Sequence, residues 1–341
     1  MAQRELLIDR QWNVKQFFMQ WEWLLVIIFI LIHVVNSSLS PYYLNINTFV
    51  RTPMTFLDKS FLVLPMTFVI ILGNIDISVG SIVALSSVVM ATAYNAGMSM
   101  PMAILLCLVV ATLCGVVNGL LMVKFKELSA VIVTLSTMII YRGTAYIILE
   151  DQASGNFPEW FSFFGWGSIG GIPFMLIVFT ICAIAFGILL HKTTFGRMVF
   201  GMGNNKSTCI YSGIKTQKVL MWVSILTGLM AGFTALFLTS RMGSTRPNVA
   251  QGYELEVIAM VVLGGVSTAG GKGRIIGPVL AIFIIGFLSY GLGLVNISAQ
   301  VLLIIIGLLL IISVMVLNVR FTPKKKKSGH VIQAMETDPT K

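Results

Sequence analysis

Apolar runs about as long as a membrane-spanning helix follow one another along most of the chain, and they restrict its possible folds more than any other feature. A helix needs roughly 20 predominantly apolar residues to cross a bilayer. Only 11% of the 341 residues are charged, whereas a soluble domain has about 25%. We therefore predict an all-α polytopic membrane protein with about ten transmembrane helices, at about 23–37, 60–73, 79–97, 102–123, 129–149, 172–190, 219–239, 254–270, 276–294 and 298–318.

The distribution of Lys and Arg predicts how the chain is oriented in the membrane. With the N-terminus inside, 18 of the 23 basic residues fall in cytoplasmic segments, four lie outside and one, Arg142, lies within a span. Cytoplasmic loops carry such an excess of Lys and Arg. We therefore expect a cytoplasmic N-terminal segment at 1–22, a transmembrane domain at 23–318 and a basic, flexible cytoplasmic tail at 319–341.

Two of the apolar runs are interrupted by glycine and polar residues. One break lies near 73–81 (GNIDISVGS) and the other near 264–273 (GGVSTAGGKG). Irregular backbone at membrane depth is tolerated only where it is buried in protein or lines a cavity. Paired segments of this kind indicate an internal repeat around a translocation path, and we predict an inverted repeat of helices two to five and seven to ten. Alternatively, the glycines only allow close helix packing, as in Gly115-xxx-Gly119 and Gly228-xxx-Gly232.

Polar residues within the spans are candidates for the translocation path or for the helix break itself. Asp76 has three readings: it binds substrate hydroxyls, it pairs with Arg142, or it caps the helix that starts near Ile77. The threonines and the tyrosine of the fifth span share one face, where they line a path or bond back to their own helix. The residues assigned to this group are Asn74, Asp76, Ser78, Asn118, Thr134, Thr137, Tyr141 and Arg142.

A polar, basic segment from His191 to Lys218, called the island below, separates two apolar runs. Its 28 residues include five Lys or Arg and no acidic residue. Clustered basic residues predict a cytoplasmic location for this loop. There it either forms a surface for a partner protein or lies on anionic lipid headgroups.

No residue pattern in the sequence indicates a catalytic or metal site. The run GGVSTAGGKGR is close to a phosphate-binding loop, but the pattern G-x-x-x-x-G-K-[ST] requires other residues at Val266 and Gly273. The four cysteines have no metal-ligand spacing. We therefore expect no metal and no cofactor in this chain, which is not an enzyme by itself.

Five segments, in a fixed order between about residues 60 and 318, carry a resemblance to a known family. They read GNIDISVGSIVAL, CGVVNGLLMVKFK, VIVTLSTMIIYRG, TTFGRMVFGMGNNKSTCIYSGI and YELEVIAMVVLGGVSTAGGKGRIIGPVLA. Together they resemble bacterial ABC-type sugar permeases, the class that serves ribose, xylose, galactose, rhamnose and the autoinducer-2 signal. The chain departs from the usual family motifs at Asn74, Ile77, Cys209 and Ser129-Ala130.

The resemblance implies an importer in the bacterial plasma membrane, in which this chain forms the path for a monosaccharide or a similar small polyol or sugar-derived signal. The implied partners are a second permease subunit, identical or paralogous, two ABC ATPase subunits or one double ATPase, and an extracytoplasmic sugar-binding protein. No nucleic-acid partner is expected. ATP and Mg would be bound by the ATPase, and the sugar-binding protein would deliver substrate at the loops around 150–171 and 241–252.

Within this resemblance the island becomes an ATPase-coupling element that contains a short helix capped by an Asn. The residues assigned to coupling are Gly196, Arg197, Gly203, Asn204, Asn205, Lys206, Ser212, Gly213 and Ile214. Its glycines are expected to shape the turns of the element. At the outer face, Glu254 and Glu256 are expected to act as helix caps and partner contacts.

Two other functions fit parts of the same pattern. A proton-coupled secondary transporter would use Asp76 or Glu254 as its proton carrier, but a self-contained carrier has no need of a loop such as the island. A branched-chain amino-acid ABC permease would share the architecture. The D-I-S-V-G-S and Y-E-L-E-V-I-A runs favour the sugar class.

Overall fold

The computed structural model describes residues 21–318, which are helical almost throughout. The helices are α1 (Trp21–Leu39), α2 (Ile46–Arg51), α3 (Leu57–Ile71), α4 (Val79–Asn95), α5 (Met100–Lys124), α6 (Ala130–Leu149), α7 (Ser162–Trp166), α8 (Phe174–His191), α9 (Thr194–Asn204), α10 (Lys206–Tyr211), α11 (Thr216–Met242), α12 (Tyr253–Leu263), α13 (Ile276–Leu294) and α14 (Ala299–Asn318). Two 3₁₀ segments, Thr52–Thr55 and Glu159–Phe161, and a short antiparallel hairpin, β1 (Ser168–Ile169) and β2 (Ile172–Pro173), complete the regular structure. The predicted tail at 319–341 and nearly all of the predicted N-terminal segment lie outside the described residues.

Each of the ten predicted spans contains a helix, and the all-α, polytopic prediction is confirmed. Within residues 21–318, six helices are long and apolar enough to cross a membrane, namely α1, α5, α6, α8, α11 and α13. The segment Thr48–Thr55 and α3 form a seventh candidate, bent by 65°. Helix α12 has 11 residues, and at about 1.5 Å per residue it covers roughly half of the hydrocarbon core. The span count of ten therefore stays a prediction.

Helix α3 forms the centre of the bundle. All of its residues except Lys59 are buried, and α8, α11 and α12 pack around it. Phe61 of α3 stacks on Phe237 of α11, with ring centroids 4.9 Å apart and an interplanar angle of 1°. A helix that is surrounded by other helices is apolar on every side, which explains why the sequence of α3 has no polar face.

Glycines bring α5 and α11 into close contact. A Cβ placed on Gly228 would lie 2.9 Å from the Cα of Gly115, and a Cβ placed on Gly119 would lie 3.1 Å from the Cβ of Ser224. Small residues at such positions let two helix backbones approach one another. For this pair of helices, therefore, the packing interpretation of the glycines is confirmed.

The two ends of the bundle carry different segments. The island and both helix breaks lie at one end, called the island end below. The connections 150–173 and 243–252 lie at the opposite end, called the loop end. There the backbones of Ser154 and Thr245 exchange two hydrogen bonds of 2.8–2.9 Å, and Phe161 is buried. The connection expected to be an exposed loop at 150–171 is therefore packed in part against the bundle.

Candidate translocation and coupling site

The two predicted breaks are present, and their backbones have the same geometry. Helix α3 ends before Gly73 and α12 ends before Gly265, whose φ angles are 77° and 85°. In both breaks the N–H of this glycine bonds to the third carbonyl before it, and the next N–H bonds to the fifth carbonyl before it, at 2.9–3.4 Å. This is the Schellman arrangement, in which glycine relieves the strain of a positive φ. The two short segments thus end by the same local mechanism.

The two broken helices lie side by side and run in the same direction. Near their first residues, Lys59 of α3 forms an ion pair with Glu256 of α12. Beyond their last turns, the N–H of Gly271 donates to the carbonyl of Ile71 at 2.8 Å. Because α3 and α12 are parallel, their matching ends do not represent two inverted halves. The inverted repeat of helices two to five and seven to ten stays a prediction.

Asp76 accepts two hydrogen bonds at the start of α4. Its Oδ1 accepts the backbone N–H of Ser78 at 2.9 Å and the hydroxyl of the same residue at 2.6 Å. The carbonyl of Ser78 accepts the first helical hydrogen bonds of α4, so Ser78 occupies the N-cap position. Asp76 therefore stabilises the turn that leads into the helix, and its side chain is only 4% exposed.

A buried chain of hydrogen bonds connects this turn to α5 and α6. Asn118 Nδ2 donates to Ser78 Oγ at 2.7 Å, and Tyr141 OH donates to Asn118 Oδ1 at 3.0 Å. All of these side chains are buried, and the bonds offset the cost of removing their polar groups from water. The arrangement holds the start of α4 in a fixed position against its two neighbours.

Arg142 does not pair with Asp76. Its Nη1 donates to the carbonyl oxygens of Pro247 and Val249 at 2.6 and 2.7 Å, so it ties α6 to the connection at the loop end. The pairing that the sequence left open is therefore wrong. A backbone carbonyl satisfies a guanidinium without leaving any signature in the sequence.

The two threonines of the predicted polar face bond mainly within their own helix. Thr134 Oγ1 donates to the carbonyl of Ala130 at 2.9 Å and accepts the N–H of Ile77 at 3.2 Å. Thr137 Oγ1 donates to the carbonyl of Thr134 at 3.2 Å. Asn74, Asp76 and Thr134 line a cavity of about 10 Å³, which holds about one water. A role for these residues in a path stays a prediction.

The island folds into the two short helices α9 and α10. Thr193 Oγ1 accepts the N–H of Gly196 at 3.3 Å and begins α9, and Asn205 Oδ1 accepts the N–H of Thr208 at 3.0 Å and begins α10. Residues with a side-chain acceptor are favoured at these positions. The predicted short helix with an Asn cap is therefore confirmed.

The end of α9 lies against both helix breaks. A Cβ placed on Gly203 would collide with the carbonyl oxygen of Ile71 and would lie 2.6 Å from the amide nitrogen of Gly271. A Cβ on Gly271 would in turn lie 3.0 Å from the Cα of Asn204. The island, the first break and the second break thus meet at one backbone contact, called the three-way junction below. The sequence did not predict it.

The predicted coupling residues fall into two groups. Gly196 is buried against the carbonyl of Leu190, and the side chain of Ile214 is half-buried. Gly213 has a φ of 78° and ends α10 in a turn, so the turn-forming role is confirmed for this glycine. Gly196 and Gly203 instead let α9 pack closely on α8 and on the two helix breaks. The exposed members are Arg197, Asn204, Asn205, Lys206, Ser212 and Gly213.

The carboxylates at the start of α12 bond within the chain. Glu256 pairs with Lys59, and Glu254 Oε1 accepts the N–H of Gly252 at 3.2 Å. A further ion pair, which the sequence did not predict, places Arg241 Nη2 2.7 Å from Oδ2 of the buried Asp58. The only signal for it was a carboxylate next to an apolar run.

Comparisons with known proteins agree with this architecture. Residues 50–314 match the family described as branched-chain amino acid transport system / permease component. The autoinducer 2 import system permease proteins LsrD of Escherichia coli strain K12, Escherichia coli strain SMS-3-5 and Shigella flexneri are each 33% identical over 301 residues, which covers 86% of this chain and 91% of each relative. No solved structure matches the chain.

A bundle of apolar helices with two helix breaks and a basic segment packed against them is the architecture of a membrane-embedded transport protein. The family match and the relatives place the chain within one class of such subunits. The chain belongs to this family of permease components and is the permease subunit of an ATP-binding-cassette importer.

Proposed function

We propose that the chain forms the import path for a monosaccharide or a small sugar-derived signal, with autoinducer 2 as the first candidate. The support is the 33% identity, over 86% of the chain, to permeases named for autoinducer 2 import. The family description names branched-chain amino acids, and this class of substrate is the second candidate. The relatives match nearly their full length, so the sugar-derived class is the better supported of the two.

The complete importer would contain partners that supply energy and substrate. They are a second permease, identical or paralogous, two ABC ATPase subunits or one double ATPase that binds ATP and Mg, and an extracytoplasmic binding protein. The chain would lie in the bacterial plasma membrane with both termini and the island in the cytoplasm. The lysine and arginine distribution supports this orientation.

The proposed coupling mechanism depends on the three-way junction. Gly203 lies against the Ile71 carbonyl and the Gly271 amide, so the end of α9 packs directly on both breaks. When the ATPase pair closes, a force on the island would reach both broken helices through this contact. Asp76 and its hydrogen-bond chain would keep α4 attached to α5 and α6 as the breaks move.

The exposed tip of α10 is the proposed docking surface for the ATPase. Tyr211 is 92% exposed and Ile210 is 54% exposed, beside the exposed Ser212 and Gly213. Large aromatic side chains at the centre of an interface often supply much of its binding energy. The small residues next to Tyr211 would let it enter a cleft.

Uptake measurements test the substrate class. Cells that express the chain with its own partner subunits should accumulate labelled autoinducer 2, with labelled ribose and leucine as comparison substrates. Depletion of ATP should abolish uptake, and collapse of the proton gradient at constant ATP should not. Uptake of leucine alone would overturn the sugar-derived class in favour of the amino-acid class.

Substitution of Tyr211 tests the docking surface. Tyr211→Ala should reduce co-purification of the ATPase and uptake by about tenfold or more, since truncation of an interface anchor costs about 2 kcal/mol or more. Tyr42→Ala is the matched control, because Tyr42 is 80% exposed at the loop end. Normal co-purification and uptake in Tyr211→Ala would exclude the tip as the docking surface.

A further inference from the structure

A cavity at the island end is surrounded by lysines. Its volume is about 410 Å³, within the usual range of about 300–1,000 Å³ for ligand sites. It lies between the first break, the end of α5, helix α10 and the start of α11. The lysines that line it are Lys126, Lys206, Lys215 and Lys218, and none of its described lining residues is acidic.

The positive charges of this cavity are not neutralised within the described part of the chain. The ion pairs found in residues 21–318 involve Lys59, Arg241 and Arg274, and none of them involves a cavity lysine. All four lysines are exposed, and their ammonium groups would attract a bound anion. Helix α11 also begins here without a side-chain cap, and the N-terminus of a helix favours negative charge.

The rest of the lining favours a ligand that also has an apolar part. Leu72, Met122, Met202 and Leu220 form the apolar wall. Four residues beyond Lys218 on the same face of α11, the side chain of Trp222 is 57% exposed. Exposed tryptophans are typical of the level of lipid headgroups. Basic pockets between transmembrane helices bind lipid phosphates.

We propose that this lysine cavity is a binding site for a phosphate group, held by Lys126, Lys206, Lys215 and Lys218. An acidic phospholipid, with its headgroup at the lysines and its acyl chains against the apolar wall, is the favoured source of the phosphate. A soluble phosphate ester is the second source of the same chemistry. The proposal goes beyond the import function, because the site need not bind the transported substrate.

Native mass spectrometry of the purified full-length permease tests this proposal. The protein is equilibrated with phosphatidylglycerol and phosphatidylcholine of the same acyl chains, and the retained lipids are counted. The test variant is Lys126→Gln with Lys218→Gln, which leaves the coupling residues intact. The matched control is Lys124→Gln with Lys192→Gln, which removes the same charge from exposed positions of the same end outside this cavity.

The wild type and the control should retain phosphatidylglycerol in preference to phosphatidylcholine. The test variant should bind phosphatidylglycerol roughly 10- to 30-fold more weakly, since each lysine near a lipid surface contributes about 1 kcal/mol. Equal melting temperatures of the two double variants without lipid would exclude misfolding as the cause.

Two further measurements distinguish a phospholipid from a soluble phosphate, and a phosphate site from a contact with an acidic protein partner. A soluble phosphate would be the ligand under two conditions. Millimolar inorganic phosphate or a sugar phosphate must raise the melting temperature of the wild type but not of the test variant, and the wild type must retain phosphatidylglycerol and phosphatidylcholine equally. Equal lipid retention by both double variants without any phosphate effect would overturn the proposal. Loss of ATPase co-purification without loss of lipid in the test variant would also overturn it, in favour of an acidic protein partner.

Discussion

The backbone N–H of Gly271 donates to the carbonyl of Ile71 at 2.8 Å, and this hydrogen bond joins the two helix breaks. Ile71 is the last residue of α3, and the final carbonyls of a helix have no partner within that helix. The second break supplies the partner that the first break lacks. Since Gly203 lies against both groups, a displacement of the island would alter both breaks together.

Substitution of Gly203 should disrupt the three-way junction. The Cβ of Gly203→Ala would overlap the Ile71 carbonyl and lie 2.6 Å from the Gly271 nitrogen, and such overpacking costs about 1–3 kcal/mol. Uptake should fall several-fold at equal membrane levels of the permease, as measured with labelled substrate and quantitative immunoblots.

The control for this prediction is Gly201→Ala on the same helix. The nearest atom to its Cβ would be Cys209 Sγ at 3.2 Å, so only a small adjustment is needed. Both substitutions gain about 1 kcal/mol in helix propensity. The difference in uptake between the two variants therefore reports the effect of the junction contact alone. Equal uptake by the two variants would show that the junction does not transmit motion.

Loss of Arg241 should destabilise the loop end. The carboxylate of Asp58 is buried and Arg241 is its partner at 2.7 Å, so Arg241→Gln leaves a buried charge that costs about 3–5 kcal/mol. The melting temperature of the purified permease should fall clearly, and the double variant Asp58→Asn with Arg241→Gln should recover part of it.

Arg246→Gln serves as the control for this pair. Arg246 is exposed and has no ion pair within residues 21–318, so its loss should change the melting temperature little. If Arg241→Gln melts at the same temperature as Arg246→Gln, the buried pair contributes nothing to stability.

Local features of this fold could be predicted from the sequence. Glycine inside an apolar run is a strong local signal, and it located the breaks that follow α3 and α12. A short helix with an Asn cap was expected in the island, and Asn205 provides this cap through a bond that spans only three residues. Signals of this kind depend on neighbours along the chain, which a single sequence displays directly.

Contacts between distant segments could not be predicted in the same way. Gly203 meets Ile71 and Gly271 through backbone atoms, and no side-chain pattern records such a contact. Arg142 is likewise satisfied by carbonyl groups, so the alternative that pairs it with Asp76 is wrong. The adjacency of α3 and α12 also depends on tertiary packing, which periodicity does not encode.

The orientation of the bundle can be measured with cysteine labelling. After replacement of the native cysteines, Ala153→Cys and Asn248→Cys at the loop end should react with an impermeant maleimide added to intact cells. Lys126→Cys and Ser207→Cys at the island end should react only after permeabilisation, because basic segments remain in the cytoplasm. All four positions are exposed, so burial cannot explain a difference. Labelling of Ser207→Cys from outside would reverse the proposed orientation.

Substitutions of Asp76 separate a structural role from a proton-carrying role. Its Oδ1 accepts the N–H and the hydroxyl of Ser78. Asn retains an oxygen acceptor, whereas Ala removes it, at a cost of about 1 kcal/mol or more at the start of α4. We expect near-normal, ATP-dependent uptake for Asp76→Asn and impaired uptake or assembly for Asp76→Ala, measured with labelled substrate in cells with equal membrane levels of the two variants.

A proton carrier would lose function in both variants, because neither Asn nor Ala can ionise. Uptake by Asp76→Asn should therefore continue when the proton gradient is collapsed at constant ATP. Loss of uptake in Asp76→Asn with intact assembly would instead assign Asp76 a charge-dependent contact with the substrate, since Arg142 is bound elsewhere.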